Sequence, residues 1–273
     1  MSKYDRFKQG ISIADQSFSF ILKNKRLLLY LVIPLLIAVF SPNKMLFAPL
    51  LLISIFIYFL AEVALTKHTQ DVIEKKESSI KDNIAFGFSK YKTAIAWSLI
   101  AIIPVLIKLL HMTAKKVPDL STTTMEGQKP LNHFLELSIL DNYKTLVSTD
   151  FFIFAMAFLF VLFIANLLFY LFTAFLPQVV TFEGVGILKG LKKAINTIKH
   201  IFFQYIGIIF WITVVLLVIG LPFSIITYVL KTFVTKYNID KIIEFILYIF
   251  VSTSFVIAKA ILYKQFKNRK HEA

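Results

Sequence analysis

The chain has no cysteine, which excludes disulfides, thiolate metal sites and a cysteine nucleophile but leaves the redox compartment open. It carries no HExxH zinc-protease motif, no GxSxG nucleophile elbow and no P-loop. Gly184, Gly186 and Gly190 miss the dinucleotide-binding spacing by one residue and follow an apolar run in place of a strand. Acidic residues are few, 16 against 30 Lys and Arg, giving a formal charge of +14. A cleavable signal peptide is not expected, because the first apolar run begins only at Leu27, after Lys23, Lys25 and Arg26. The first span should then be retained as an anchor.

What is abundant is apolar. Of 273 residues 58% are hydrophobic, and the mean hydropathy of +0.74 is more than one globular core and its surface would hide. The longest run, Phe151 to Leu176, has only Asn166 and Thr173 outside the apolar and aromatic classes. As a helix it would measure ~39 Å, longer than the ~30 Å hydrocarbon core of a bilayer. The expected fold is therefore an all-α polytopic membrane protein, one integral membrane domain over residues 1–273. In that setting the positive charge points to anionic headgroups and not to nucleic acid.

Read in order, an amphipathic surface helix is predicted over 5–22, with Phe7, Ile11, Ala14, Phe18 and Ile21 on one line. Six spans follow at about 27–40, 45–65, 93–110, 151–176, 204–222 and 242–262, with an external polar loop at 111–150. The first two are joined by a Ser41-Pro42-Asn43 turn, and an alternative has this hairpin re-entrant. Four segments, ending at Arg26, spanning Lys67 to Lys92, spanning Lys189 to Lys199 and starting at Lys259, hold 21 of the 30 basic residues. Six spans put all four on one side, with both termini, and that side is predicted to be cytoplasmic.

A repeat is legible. Ile80, Ile84, Phe88 and Tyr91 precede the third span at spacings of four, four and three; Ile187, Leu191, Ile195 and Ile198 precede the fifth at the same spacings. Each stripe is interleaved with lysines, so two copies of a span, surface helix, span unit are expected, starting from the same side as a parallel repeat. The N-terminal surface helix and first span form a partial third copy.

Two further stretches carry a family resemblance. These are Arg6-Phe7…Gly10 with Asn24-Lys25…Leu27-Leu28…Pro34, and Pro177-Gln178-Val179-Val180-Thr181-Phe182-Glu183-Gly184-Val185-Gly186 leading into Gly190-Leu191-Lys192-Lys193-Ala194. Together they resemble an uncharacterised family of bacterial multi-pass integral membrane proteins, although Phe202-Phe203 stands where a Trp-Gly pair is commoner in that family. The resemblance implies a six-span topology in the bacterial cytoplasmic membrane and no particular activity.

Candidate polar positions inside the membrane are Asn166, in the fourth span, and Ser252, Thr253 and Ser254, in the sixth. Each suits helix packing as well as a polar path. Glu62, Lys108, Glu244 and Lys259 fall near span ends, where snorkelling accounts for them. Pro34, Pro104 and Pro222 interrupt or end three spans, as at broken transporter helices or in ordinary membrane helices. Pro177, Glu183 and Gly184 read as an elbow that ends the fourth helix and lays the next one flat. Lys189, Lys192, Lys193 and Lys199 flank the apolar stripe from Ile187 and are expected at headgroup level. His68 with Asp71, and His133 with Glu136, have i, i+3 spacing, but two ligands fall short of a metal site. No cofactor is expected. Two function classes remain, a non-catalytic membrane component contacting lipids, membrane proteins or its own copies, and a small permease.

Overall fold

The computed structural model describes residues 2–40, 47–101, 164, 167–233 and 239–272, and every regular element among them is helical. The chain divides into two compact units, Met1–Ile102 with Phe172–Ala273, and Ile103–Leu171. In the second, the described residues are 164 and 167–171; the Phe169 and Tyr170 rings meet edge to face at 5.8 Å.

The first unit opens with α1 (Lys3–Lys23), started by a capping box in which Ser2 Oγ accepts from the Asp5 N–H and Asp5 accepts from the Ser2 N–H, both at 3.1 Å. At Asn24 (φ −129°, ψ 63°) the backbone leaves the helix, and Lys25–Leu31 winds as a 3-10 helix into α2 (Val32–Phe40). Pro34 falls in the first turn of α2, where a missing N–H costs least. The expected first span is thus not one α-helix. Seven residues of 3-10 and nine of α-helix replace it. At ~2.0 and ~1.5 Å per residue they reach about 27 Å, just short of the ~30 Å of hydrocarbon.

Next come α3 (Phe47–Ile73) and α4 (Ile80–Ser89). Helix α3 closes with Lys75 at φ +54° in the left-handed region; the Lys76 N–H reaches Asp71 O at 2.9 Å and the Lys75 N–H reaches Val72 O at 3.1 Å. Ser79 Oγ caps α4 by accepting from the Asp82 N–H at 3.0 Å. The last helices are α5 (Leu176–Glu183), α6 (Ile187–Phe233) and α7 (Ile239–Glu272).

Three helices among the described residues are long and apolar enough to cross a membrane, Leu52–Ile73, Ile187–Phe223 and Lys241–Arg269, against six expected. They carry the expected spans at 45–65, 204–222 and 242–262. The expected spans at 93–110 and 151–176, and the loop at 111–150, lie largely or wholly outside the described residues.

Each of the two helices expected ahead of the third and fifth spans has a break in its backbone. After α4, Lys90 (φ −95°, ψ 16°) breaks the helix before it resumes over 91–101. Within α6, Ile201 (φ −114°, ψ 16°) makes a similar break and divides a helix of 187–200 from its apolar continuation. Asn24 separates α1 from the turn that follows it in the same way.

The expected apolar line of α1 is buried or half-buried throughout, and the buried face extends past it to small residues. Gly10, Ala14 and Ser17 are buried with Ile13 and Ile21, and this narrow stripe of small residues lets α1 meet α6 at backbone distance. A Cβ added at Gly10 would stand 2.0 Å from Gln204 O, and one added at Gly207 would stand 2.3 Å from Phe7 O. The rings of Phe7 and Phe210 pack beside the crossing at 5.6 Å. Below it, Ile21, Leu27, Tyr30 and Leu31 close on Leu65, Val256 and Ile257 as one core. Toward the far end, Ile33, Leu217, Val218, Leu221 and Ile246 are each more than half exposed. In water each would forfeit roughly 25 cal/mol for every Å² of apolar surface left uncovered; lipid tails remove that cost.

Opposite that apolar end, the basic segments converge. Gln9 Nε2 donates to Gln265 Oε1 at 3.0 Å, Lys264 approaches Glu74 at 3.4 Å, and Lys267 Nζ donates to Phe182 O at 3.2 Å. The start of α1, the end of α3, the end of α5 and the end of α7 therefore share one face.

Candidate functional site

The most demanding chemistry in the unit lies where α3, α5 and α7 meet. Glu62 of α3 and Lys259 of α7, 197 residues apart in sequence, form an ion pair, and each is only 5% exposed. The second acceptor of Lys259 is the carbonyl of Ala174, at 3.1 Å, in the turn that precedes α5. Pro177 in the first turn of α5 sets the chain on a new course there, and the next residue, Gln178, turns its amide inward. Gln178 Nε2 donates to Glu62 Oε1 at 3.2 Å and lies 3.4 Å from Thr66 Oγ1.

Aromatic rings wall the pair. Lys259 Nζ stands 5.0 Å from the centroid of Phe255, whose ring is 5.9 Å from that of Tyr205, and Tyr205 meets Phe175 edge to face at 5.2 Å. Taking two charges out of water costs several kcal/mol per ion, so the pair persists only because each charge has a hydrogen-bonding partner beyond the other. Gln178 Oε1 and Thr253 Oγ1 are buried without a hydrogen-bond partner among the described residues.

This corrects the snorkelling expectation for Glu62 and Lys259. Neither charge reaches solvent, because α5 folds back over them and supplies the polar partners that water would otherwise supply. The expected intramembrane positions behave differently from one another. Thr253 and Ser254 are fully buried, with Ser254 Oγ donating to Phe250 O at 2.8 Å; Ser252 is half-buried; Asn166 lies outside the described residues. Two clefts border the unit away from this cluster, one between α1, α3 and α4 and another between Arg6, His200 and Arg269.

At the elbow, Gly184 adopts φ +66° as the left-handed cap of α5, which a residue with a Cβ would resist. Pro177 does not itself end the preceding helix; that helix stops at 173 and Pro177 belongs to the next. Glu183 accepts from Lys193 Nζ of α6 and from the Tyr263 hydroxyl of α7, clasping three helices. Burial pushes its carboxyl up, but the hydrogen bonds from Lys193 and Tyr263 outweigh that and hold it below its ordinary range. Lys193 is therefore engaged within the protein, whereas Lys189, Lys192 and Lys199 stand exposed. Along the apolar stripe beside them Ile187, Leu191 and Ile195 are half-buried and Ile198 is buried, while Leu188, off that line, is 81% exposed.

His68 and Asp71 do not converge on a common point. His68 Nδ1 pairs with the Tyr30 hydroxyl at 2.8 Å, and Asp71 with Lys67 at 2.6 Å. Among the described residues no three His, Asp or Glu side chains gather. His133 and Glu136 lie outside the described residues.

No family model, curated protein or solved structure matches this chain.

The ion pair was the residue set the sequence concealed. A signal was present in each half: Glu62 stands in an apolar stretch with no basic residue within four positions, and Gln178 interrupts Leu176-Pro177-Val179-Val180. A charge so placed needs a distant partner.

Proposed function

We propose that this chain is a non-catalytic integral component of a bacterial cytoplasmic membrane, crossing it six times with both termini on the basic, cytoplasmic face. In this reading α1, α4 and the start of α6 form a collar at that face, and the units around α4 and α6 are parallel copies. The resemblance carried by the stretches around Arg6 and Pro177 supports a bacterial multi-pass family as its setting. The observation that carries the functional class is the sealing of the polar groups. Glu62, Lys259, Thr253 and Ser254 are at most 5% exposed; the Glu62–Lys259 pair fastens α3 to α7, and the two hydroxyls lie sealed beside packed helices. Lys189, Lys192 and Lys199, exposed on one face, suit anionic headgroups.

The lack of native cysteine makes the test direct. Thr253→Cys and Ser254→Cys should resist a small membrane-permeant maleimide in folded protein, while cysteines placed at Lys76 and Lys129 should label from the inside and the outside respectively. Labelling of Thr253→Cys or Ser254→Cys that a transported solute protects would end the non-catalytic reading and establish the permease. That second reading draws on the unpartnered Gln178 Oε1 and Thr253 Oγ1, polar atoms a passing solute would satisfy.

A further inference from the structure

A cleft of the unit opens where the end of α1, the 3-10 turn, the end of α3 and the start of α4 meet, with a volume of about 870 Å³. Such a volume falls within the ~300–1,000 Å³ range of small-molecule sites. Lys23, Lys25, Arg26 and Lys76 line it, and no carboxylate does. Lys23, Lys25 and Arg26 are exposed, and none of the three is ion-paired among the described residues. Lys76 is bridged at 2.7 Å to Glu74, which stands outside the lining. Ser78, Ser79 and Ile80 contribute the positive end of the ten-residue α4.

We infer that this cleft binds a dianionic phosphate group, carried by a lipid headgroup or by a small soluble phosphate. Three unpaired cations on one wall form a field that a single carboxylate would leave largely unneutralised, whereas the α4 N-terminus on the other wall already carries Asp82 in its first turn. A phosphomonoester brings close to two negative charges and three acceptor oxygens. Three backbone devices fix the geometry before any ligand arrives: the Asn24 break that fans Lys23, Lys25 and Arg26 around one corner, the left-handed Lys75 that turns the chain into the cleft, and the Ser79 cap. Leu22, 64% exposed at the lip, gives an attached acyl chain an apolar exit. The lipid source rests on the membrane reading above; the soluble source does not.

The test uses the full chain with Leu22→Trp as a fluorescent reporter, alone and combined with Lys23→Gln, Lys25→Gln and Arg26→Gln. The probes are phosphatidic acid in phosphatidylcholine nanodiscs, phosphatidylcholine nanodiscs alone, and inorganic phosphate or glycerol 3-phosphate added to protein in neutral detergent. A saturable reporter change is expected with phosphatidic acid or with a soluble phosphate, and the triple variant should bind about 1,000-fold more weakly, at roughly tenfold for each cation lost. Replacing Lys241 by Gln, near the start of α7 and roughly 40 Å along that helix from the basic face, should change affinity by less than about threefold, since it lies several Debye lengths of ~8 Å away. Response to phosphatidic acid alone assigns the site to lipid; response in detergent assigns it to soluble phosphate and holds even if the membrane topology fails. No saturable change with any phosphate probe, an equal change with phosphatidylcholine alone, or undiminished binding by the triple variant would overturn the inference. A circular dichroism and gel-filtration match between variant and parent excludes misfolding, and if the variant fails that match, the single change Arg26→Gln must still weaken binding about tenfold.

Discussion

Removing one member of the Glu62–Lys259 pair should destabilise the unit far more than removing both. In Lys259→Met the methylene stem of Lys259 is largely replaced, but Glu62 is left with only Gln178 Nε2 at 3.2 Å to compensate a buried charge. Orphaning a buried charge typically costs ~3–5 kcal/mol. In Glu62→Leu the ammonium keeps Ala174 O at 3.1 Å and the face of Phe255 at 5.0 Å, so its loss should fall at the lower end of that range. The double variant removes both desolvation costs, and its deficit should be under ~2 kcal/mol, set by packing and by the amide of Gln178. For a chain of this size each kcal/mol moves the melting temperature by roughly 2–4 °C, so the single variants should melt roughly 6–20 °C early. The assay is gel filtration of heated, detergent-solubilised protein, with all four members of the cycle measured together. Additive losses, or single variants within about 1 kcal/mol of the parent, would show that the two charges do not hold each other and would refute the argument.

Two further outcomes test the collar. Gly10→Ala should cost about 2 kcal/mol despite alanine's better helix propensity, because the new Cβ would stand 2.0 Å from Gln204 O, while Gly220→Ala, whose new Cβ meets nothing within 4 Å among the described residues, should be neutral or stabilising in the same heating assay. Glu74 is held down at about 2 by the hydrogen bond from Lys76, with Gln70 and Lys264 adding to it, against an ordinary 4.5. A lowered folded value means stability present above the unfolded value and lost as pH falls through the folded one. The gap between parent and Glu74→Gln should therefore be full above pH 4.5 and closed near pH 2, and a gap constant across that window would remove Glu74 from the collar.

Local features were legible in the sequence because they are set by neighbours along the chain. The surface helix expected over 5–22 is Lys3–Lys23, and the left-handed turn expected at Gly184 has φ +66°. The stripes ahead of the third and fifth spans correspond to helices broken at Lys90 and Ile201. What was not legible depends on which helix meets which. Periodicity marks an apolar side but not whether lipid or protein covers it, so the line from Phe7 to Ile21 was read as membrane-facing when Gly10, Ala14 and Ser17 bring α1 against α6. Likewise Glu62 and Lys259 each sit near the end of an apolar run, and only the return of α5 over them tells a sealed pair from two snorkelling side chains.

The distribution of acids on the basic face decides which cations remain available to a ligand. Asp71 holds Lys67 at 2.6 Å, Glu74 holds Lys76 at 2.7 Å and Lys264 at 3.4 Å, and Glu183 holds Lys193. Each of these pairs either caps α3 or ties it to α7, or ties α5 to α6, so these acids are committed to holding the helices together. The corner at Lys23, Lys25 and Arg26 has no such partner among the described residues, although it holds three cations within four residues. Three like charges within four residues repel one another, and a fold selected for stability alone would place an acid beside them. An anion arriving from outside the chain, phosphate on a lipid or in solution, relieves that repulsion, and the same contact would tie the end of α1 to the start of α4.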